Sequence, residues 1–281
     1  MKAPNESEAL VASAQDGDAA ALEDLCRRIK DDVYGLAVRM LAFPPDAEDA
    51  TQEILIKVVT HLGEFRGESA FRTWVFTIAS RHLMKFRRGV RESFVSFELI
   101  EEMIADGEGR PYQEPETAEE RLLAEEVKIG CTGAMLVALD RDHRIAYTLG
   151  EIFSLSSDEA ASVLDIPPAT FRKRLSRARG RLRQFMTSTC GLVDPENSCR
   201  CPRQLRTNVA RGTIDPDRLL FATHPTCQSP RLAAQELLRE VDEIETIASI
   251  FRSHPDYAAP ERVVDFIRSI INDDDFRMFR N

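Results

Sequence analysis

Residues 155–182 read LSSDEAASVLDIPPATFRKRLSRARGRL. Ser156 and Glu159 have the spacing of a capping box ahead of Ala160, Ala161, Val163 and Leu164. Asp165 falls where the chain must turn, and aspartate tolerates left-handed backbone better than most residues. Pro167 and Pro168 suit the entry to the next helix, where a missing N–H costs nothing. Phe171, Leu175, Ala178 and Leu182 then form one apolar stripe and leave Lys173 and Arg177 on the opposite face. Two short helices joined by a tight turn, the second of them basic, make the shape of a helix-turn-helix.

Outward from this block the same periodicity continues. Leu22, Leu25, Ile29, Val33, Leu36, Ala37 and Met40 recur at helical spacing until Pro44-Pro45, and Asp46 opens a helix with an acidic first turn. Ile54, Val58 and Leu62, with Leu55 and Val59 beside them, continue its buried stripe, and a third helix is expected from about residue 70 to 88. Runs of strand period are hard to find, so an all-α fold is expected, and 281 residues make two or three small domains the natural division. No apolar run approaches membrane-spanning length, and the N-terminal MKAPNESEAL lacks the apolar core of a secretory signal, so a cytoplasmic protein without membrane insertion is expected.

The net charge of -10 would disfavour nucleic acid if it were spread evenly, but it is segregated. Seven Lys/Arg and no carboxylate lie between Pro168 and Arg183; ten carboxylates and one base, Arg110, lie between Glu92 and Glu120. Screening confines exposed charges to about 8–10 Å, so local charge governs contact. The acidic stretch, with Asp106-Gly107, Gly109, Pro111 and Pro115, reads as a linker, although Phe94, Phe97, Leu99 and Ile100 make part of it apolar enough to dock.

Residues 64–88, EFRGESAFRTWVFTIASRHLMKFRR, interleave aromatics and bases. Flat side chains that stack on bases beside cations that track phosphates are what single-stranded DNA requires. Phe71, Val75, Ile78 and Phe86 share roughly one helix face, so composition alone favours a plain core for most of these aromatics.

Taken together, DAEDATQE (residues 46–53), FRGESAFRTW (65–74) and the 155–182 block resemble, in this order, the extracytoplasmic-function (ECF) sigma factors of bacterial RNA polymerase. The resemblance covers about residues 20–186. It implies two helical domains, a promoter-melting and core-binding domain (1–90) and a helix-turn-helix domain (118–186), joined by the acidic linker (91–117). Asp46, Glu48, Asp49, Gln52 and Glu53 would dock on the clamp helices of core RNA polymerase. Phe65, Arg66, Gly67, Glu68, Ser69, Phe71 and Trp74 would hold a base flipped from the minus-ten element, with Arg81, His82 and Lys85 along the neighbouring DNA. Thr170, Arg172, Lys173, Arg174, Ser176 and Arg177 would face the minus-thirty-five element. The implied protein is a non-enzymatic initiation factor that binds core RNA polymerase and promoter DNA, requires no cofactor, and is open to control by an anti-sigma factor or other regulator. Arg81 stands where an asparagine is common and Lys85 where an aspartate is common, so promoter preference does not transfer; Ala169 and Asp165 replace frequent glycines.

Residues 187–281 exceed the minimal two-domain pattern and form a C-terminal extension. Its Cys190, Cys199 and Cys201, with His224 and Cys227 as further donors, admit three readings: a zinc site, a redox switch, or plain structural thiols. Cys26 and Cys131, in helical contexts, read as small buried hydrophobes. A helix beginning at Pro230 and carrying Leu237, Val241, Ile244, Ala248 and Phe251, followed by one from Pro260 through Val263, Ile267 and Ile270, suggests a helical hairpin. Packing against the sigma domains or binding a partner would make this extension regulatory; the equal alternative is a passive helical hairpin that only stabilises the second domain. The competing reading of the whole chain is a free-standing helix-turn-helix regulator that never touches polymerase, which leaves FRGESAFRTW without a purpose. No paired acid/base set, phosphate-cradling glycine loop or nucleophile–histidine arrangement supports an enzyme.

Overall fold

The structure, a computed structural model, describes residues 6–87, 92, 94–108, 114–221, 243–254 and 257–271. Among them the fold is all-α, and the one β feature is an isolated parallel bridge between Cys190 and Cys199. The chain divides into two compact units: residues 1–87, 158–167 and 257–281, and residues 88–157 and 168–256.

In the first unit, α1 (Glu6–Gln15), α2 (Ala19–Leu41), α3 (Pro44–Thr60) and α4 (Phe71–Lys85) follow one another. Asp18 caps α2, its carboxylate accepting from the Ala20 and Ala21 N–H groups at 2.9 and 3.2 Å. Ala42, left-handed at φ +53°, ends it. Because Pro44 and Pro45 donate no N–H, they fit the first turn of α3, which starts two residues before the expected Asp46. The expected stripe of α2 is buried, as are Ile54, Leu55, Val58, Val59 and Leu62. Val75, Phe76, Ala79 and Leu83 of α4 complete this core, since α2 packs on both α3 and α4. Residues 158–167, with most of α5 (Ser157–Leu164), and α6 (Glu261–Ile271) also belong to this unit. After α5, Asp165 is left-handed at φ +54°, as its place in the turn requires.

The second unit, whose first described residue is Glu92, contains α7 (Phe97–Glu108), α8 (Ala118–Ala138), α9 (Arg141–Tyr147) running into a π turn at Thr148–Ile152, α10 (Pro168–Thr189), α11 (Cys201–Ala210) and α12 (Glu243–Arg252). Thr117 and Glu120 form a reciprocal capping box at the start of α8. Phe171, Leu175, Ala178 and Leu182 are buried as a single stripe of α10. A Cβ on Gly150 would lie 3.0 Å from Leu175 Cδ2 and 3.3 Å from Phe171 Cζ, so the π turn approaches α10 as closely as only glycine comfortably allows.

Two features depart from the sequence reading. The acidic stretch read as a linker holds α7, which packs on α8 and α11: Ile100 and Ile104 are buried and Gln204 donates to the Ile104 carbonyl at 2.9 Å. Ile100 and Ile104 stand one helical turn apart, and their burial outweighs the acidity of the segment. The two C-terminal helices expected as a hairpin belong to different units. α12 packs on α10, with Phe251 edge-on to Tyr147 at 5.3 Å, whereas α6 packs on α2 and α3. Pro230, Leu237 and Val241 lie outside the described residues.

Candidate nucleic-acid interface

The loop between α3 and α4 rests on aromatics. Phe65, Phe71 and Trp74 meet with ring centroids 5.4–5.7 Å apart, each half-buried. Between Phe65 and Phe71 in sequence, Arg66, Gly67, Glu68 and Ser69 are exposed, and Gly67 takes φ +72°, a conformation open to glycine at no steric cost. The Gln15 amide pins both ends of the short 3-10 turn before the loop, donating to Leu62 O at 2.8 Å and Phe65 O at 3.0 Å. Arg72 is held by Asp32 through two bonds of 2.6 and 3.0 Å, which raise its guanidinium above the ordinary value. The helix face expected to be core is core only in part: Val75 is buried, while Phe71, Ile78 and Phe86 are half-exposed. The aromatics are thus distributed between the core and a surface cluster.

Further along α4, Arg81 and Lys85 are exposed. Arg81 lies 3.9 Å from Asp165, both side chains being open to solvent. His82 turns inward: its side chain is 8% exposed, Nδ1 faces Lys57 Nζ at 2.5 Å and Nε2 lies 3.6 Å from Glu53. Burial first, and Lys57 second, hold its pKa below the ordinary value against the opposing pull of Glu53, which leaves a neutral ring. On α3, Asp49 and Glu53 are exposed, Asp46 and Gln52 half-exposed, and Glu48 is largely covered, with 13% of its side chain accessible.

The basic residues of α10 divide into two sets. Arg174 pairs with Asp142 at 2.9 Å, Arg179 with Glu151 at 2.7 Å and Arg181 with Asp140 at 3.5 Å. Arg172, Lys173, Ser176 and Arg177 point to solvent, and Thr170 is half-exposed. The first set meets acids of α9 and its neighbourhood, and the second faces outward.

The thiols converge beyond what spacing suggests. Cys190 and Cys199 are bridged through the backbone, Cys201 begins α11, and α11 packs on α8, which carries Cys131. Burial, then the nearby thiols of Cys201, Cys199 and Cys190, push the Cys131 thiol well up; burial, then Cys190 and Cys199, do the same for Cys201. Cys131 was legible only as a lone apolar residue, because helix packing rather than spacing brings it to the group. Cys26 fits its reading as a buried hydrophobe, its thiol pushed up to about 12 by burial. Among the described residues no group of three or more His, Cys, Asp or Glu side chains is arranged to hold a metal ion, and His224 and Cys227 lie outside them.

Residues 16–92 match Sigma-70 region 2 and residues 129–182 match Sigma-70, region 4. An RNA polymerase sigma-H factor of Pseudomonas aeruginosa is 33% identical over 183 residues, spanning 64% of this chain and 93% of that protein. An ECF RNA polymerase sigma-E factor of Escherichia coli is 33% identical over 172 residues, spanning 60% of this chain and 88% of that one. The chain belongs to the ECF sigma factors. As such it binds core RNA polymerase and directs it to specific promoters, and it is a transcription factor subunit rather than an enzyme. The free-standing regulator is thereby disfavoured. Sigma factors generally need no cofactor. Among the described residues no helix is long and apolar enough to cross a membrane. The solved complex of CnrH with the cytosolic domain of CnrY is 22% identical, covering 63% of this chain and 95% of that one at a TM-score of 0.46. Neither family match reaches residues 187–281, which hold α11, α12 and α6.

Proposed function

We propose that this ECF sigma factor divides its work by residue as follows. Asp46, Glu48, Asp49, Gln52 and Glu53 on α3 contact core polymerase. Phe65, Arg66, Gly67, Glu68, Ser69 and Phe71, backed by Trp74, receive an unstacked base of the minus-ten element. Arg81 and Lys85 follow the adjoining phosphates, and His82 holds their helix against α3. Thr170, Arg172, Lys173, Ser176 and Arg177 meet the minus-thirty-five element, with Arg174 shared between DNA and Asp142. The functional division is then 1–90, 91–117, 118–186 and 187–281. The observation that carries this reading is the exposed Arg66–Ser69 loop flanked by Phe65 and Phe71, whose rings meet each other and Trp74. Unstacking a base costs a few kcal/mol, which a preformed aromatic seat can offset. In an in vitro assay with core polymerase, Phe65→Ala with Phe71→Ala should leave core binding intact and abolish minus-ten opening. Opening at wild-type level would overturn the assignment.

The protein acts in the cytoplasm beside its polymerase, and an anti-sigma factor or other regulator is a natural further partner. For the thiols, a structural zinc ion is the finer reading: Cys131, Cys190, Cys199 and Cys201 supply four soft donors, the number a closed tetrahedral site takes. Metal analysis of the full-length protein tests this. One zinc per chain, lost in Cys131→Ser, supports it, and metal-free protein from zinc-supplied cells ends it.

A further inference from the structure

The α2–α3 face of the first unit is occupied by a segment that no sigma region accounts for. Val263, Val264 and Ile267 of α6 are buried, while Glu261, Arg262 and Asp265 on its other side are exposed. Its approach is fixed by polar contacts: the Ala259 N–H donates to Asp31 Oδ1 at 2.8 Å, and the Arg39 guanidinium lies 4.7 Å from the Tyr257 ring centroid. Two arginines then clamp it. Arg262 Nε donates to Glu48 Oε2 at 2.6 Å, and Arg268 donates to Glu23 Oε1 at 2.8 and 3.1 Å. The Arg268 hydrogen bond first, and then the charges of Arg268 and Arg27, hold the Glu23 carboxyl below its ordinary value against the opposing pull of burial. Glu48 sits among the acids of α3, between Asp46 and Asp49, and the clamp covers it while Asp49 stays exposed.

We infer that α6 is a built-in competitor of core polymerase, docked on the α2–α3 face so that the sigma factor binds core only when this helix lifts. The inference rests on the assignment of α3 to polymerase contact. Its physical content is a population argument: apparent affinity is the intrinsic affinity multiplied by the fraction of molecules whose face is uncovered. The α6 segment fits the face by charge as well as by its apolar stripe, bringing arginines to Glu48 and Glu23.

The experiment measures affinity of the full-length protein for core polymerase by fluorescence anisotropy. Glu23 lies outside the acids assigned to polymerase, so its pair with Arg268 can be broken without touching them. Arg268→Glu should tighten core binding by about 2- to 5-fold, the range of a partly exposed ion pair. Adding Glu23→Arg should return affinity toward wild type by restoring the pair in reverse. Val263→Asp with Ile267→Asp, which removes the apolar stripe, should tighten it by about tenfold. Unchanged or weaker binding in both Arg268→Glu and Val263→Asp/Ile267→Asp overturns the competitor role. Asp49→Lys, placed in the Val263→Asp/Ile267→Asp background, reports on α3 separately. Loss of core binding upholds the α3 assignment whatever α6 does, whereas retention removes that assignment and the competitor role with it.

Discussion

Glu92 and Arg144, 52 positions apart in sequence, are joined inside the second unit, Nη1 of the arginine donating to Oε1 of the glutamate at 3.1 Å. Arg141 adds bonds of 2.8 and 2.6 Å to the same carboxylate, and all three side chains are nearly sealed from solvent. Arg144 also donates to the carbonyls of Leu136, Val137 and Leu139, so one buried cation organises the end of α8 and the start of α9. Removing the carboxylate strands two guanidiniums. Glu92→Gln should destabilise the second unit by about 3–5 kcal/mol, read by urea denaturation. A loss below about 1 kcal/mol would show that water reaches the pair.

The same carboxylate sets an acid limit. Burial pushes Glu92 up, but the Arg141 hydrogen bond and the charges of Arg144 and Arg141 outweigh it and leave the carboxyl below its ordinary 4.5. A depressed folded value means that the unfolded chain binds the proton first. The contribution is therefore complete above pH 4.5 and disappears as pH falls through the lower folded value. Melting temperatures of wild type and Glu92→Gln should converge across that interval.

His82 gives the opposite chemistry at higher pH. Its folded pKa is depressed, so above about 6.5 the ring is neutral in both states and contributes no pH dependence. Below 6.5 the unfolded chain gains protons that the folded ring refuses, and stability falls until the folded value is passed. Thermal melts between pH 7.5 and 5 should lose this slope in His82→Gln.

On α10, Lys173→Ala and Arg177→Ala should each weaken promoter binding and lower the salt slope by about 1, because each side chain is free to meet a phosphate. Arg179→Ala should leave the slope unchanged and cost folding stability instead, since Arg179 already neutralises the buried Glu151. Binding titrations at several salt concentrations separate the two behaviours.

What could be read from the sequence was local. Asp165 in the turn, Pro168 at the helix start and the Phe171–Leu182 stripe follow from backbone preference and period, which operate within a few residues. The capping box of Thr117 and Glu120 was equally legible, at the boundary between the acidic linker (91–117) and the domain beginning at 118. Non-local pairings were not legible. No spacing brings Cys131 to Cys201, joins Gln204 to Ile104, or divides Arg174, Arg179 and Arg181 from Arg172, Lys173 and Arg177. The separation of the two C-terminal helices has the same origin. Each presents an amphipathic stripe that does not name its partner, and long-range packing selects it.

Glu48 and Arg262 are 214 residues apart. At about 5–20 residues per second, a ribosome takes roughly 10–40 s to travel from one to the other. For that interval every newly made molecule carries the acidic face of α3 without the helix that later lies on it. Each round of synthesis therefore creates a brief uncovered population, and the abundance of that population follows the rate of translation rather than the total amount of protein.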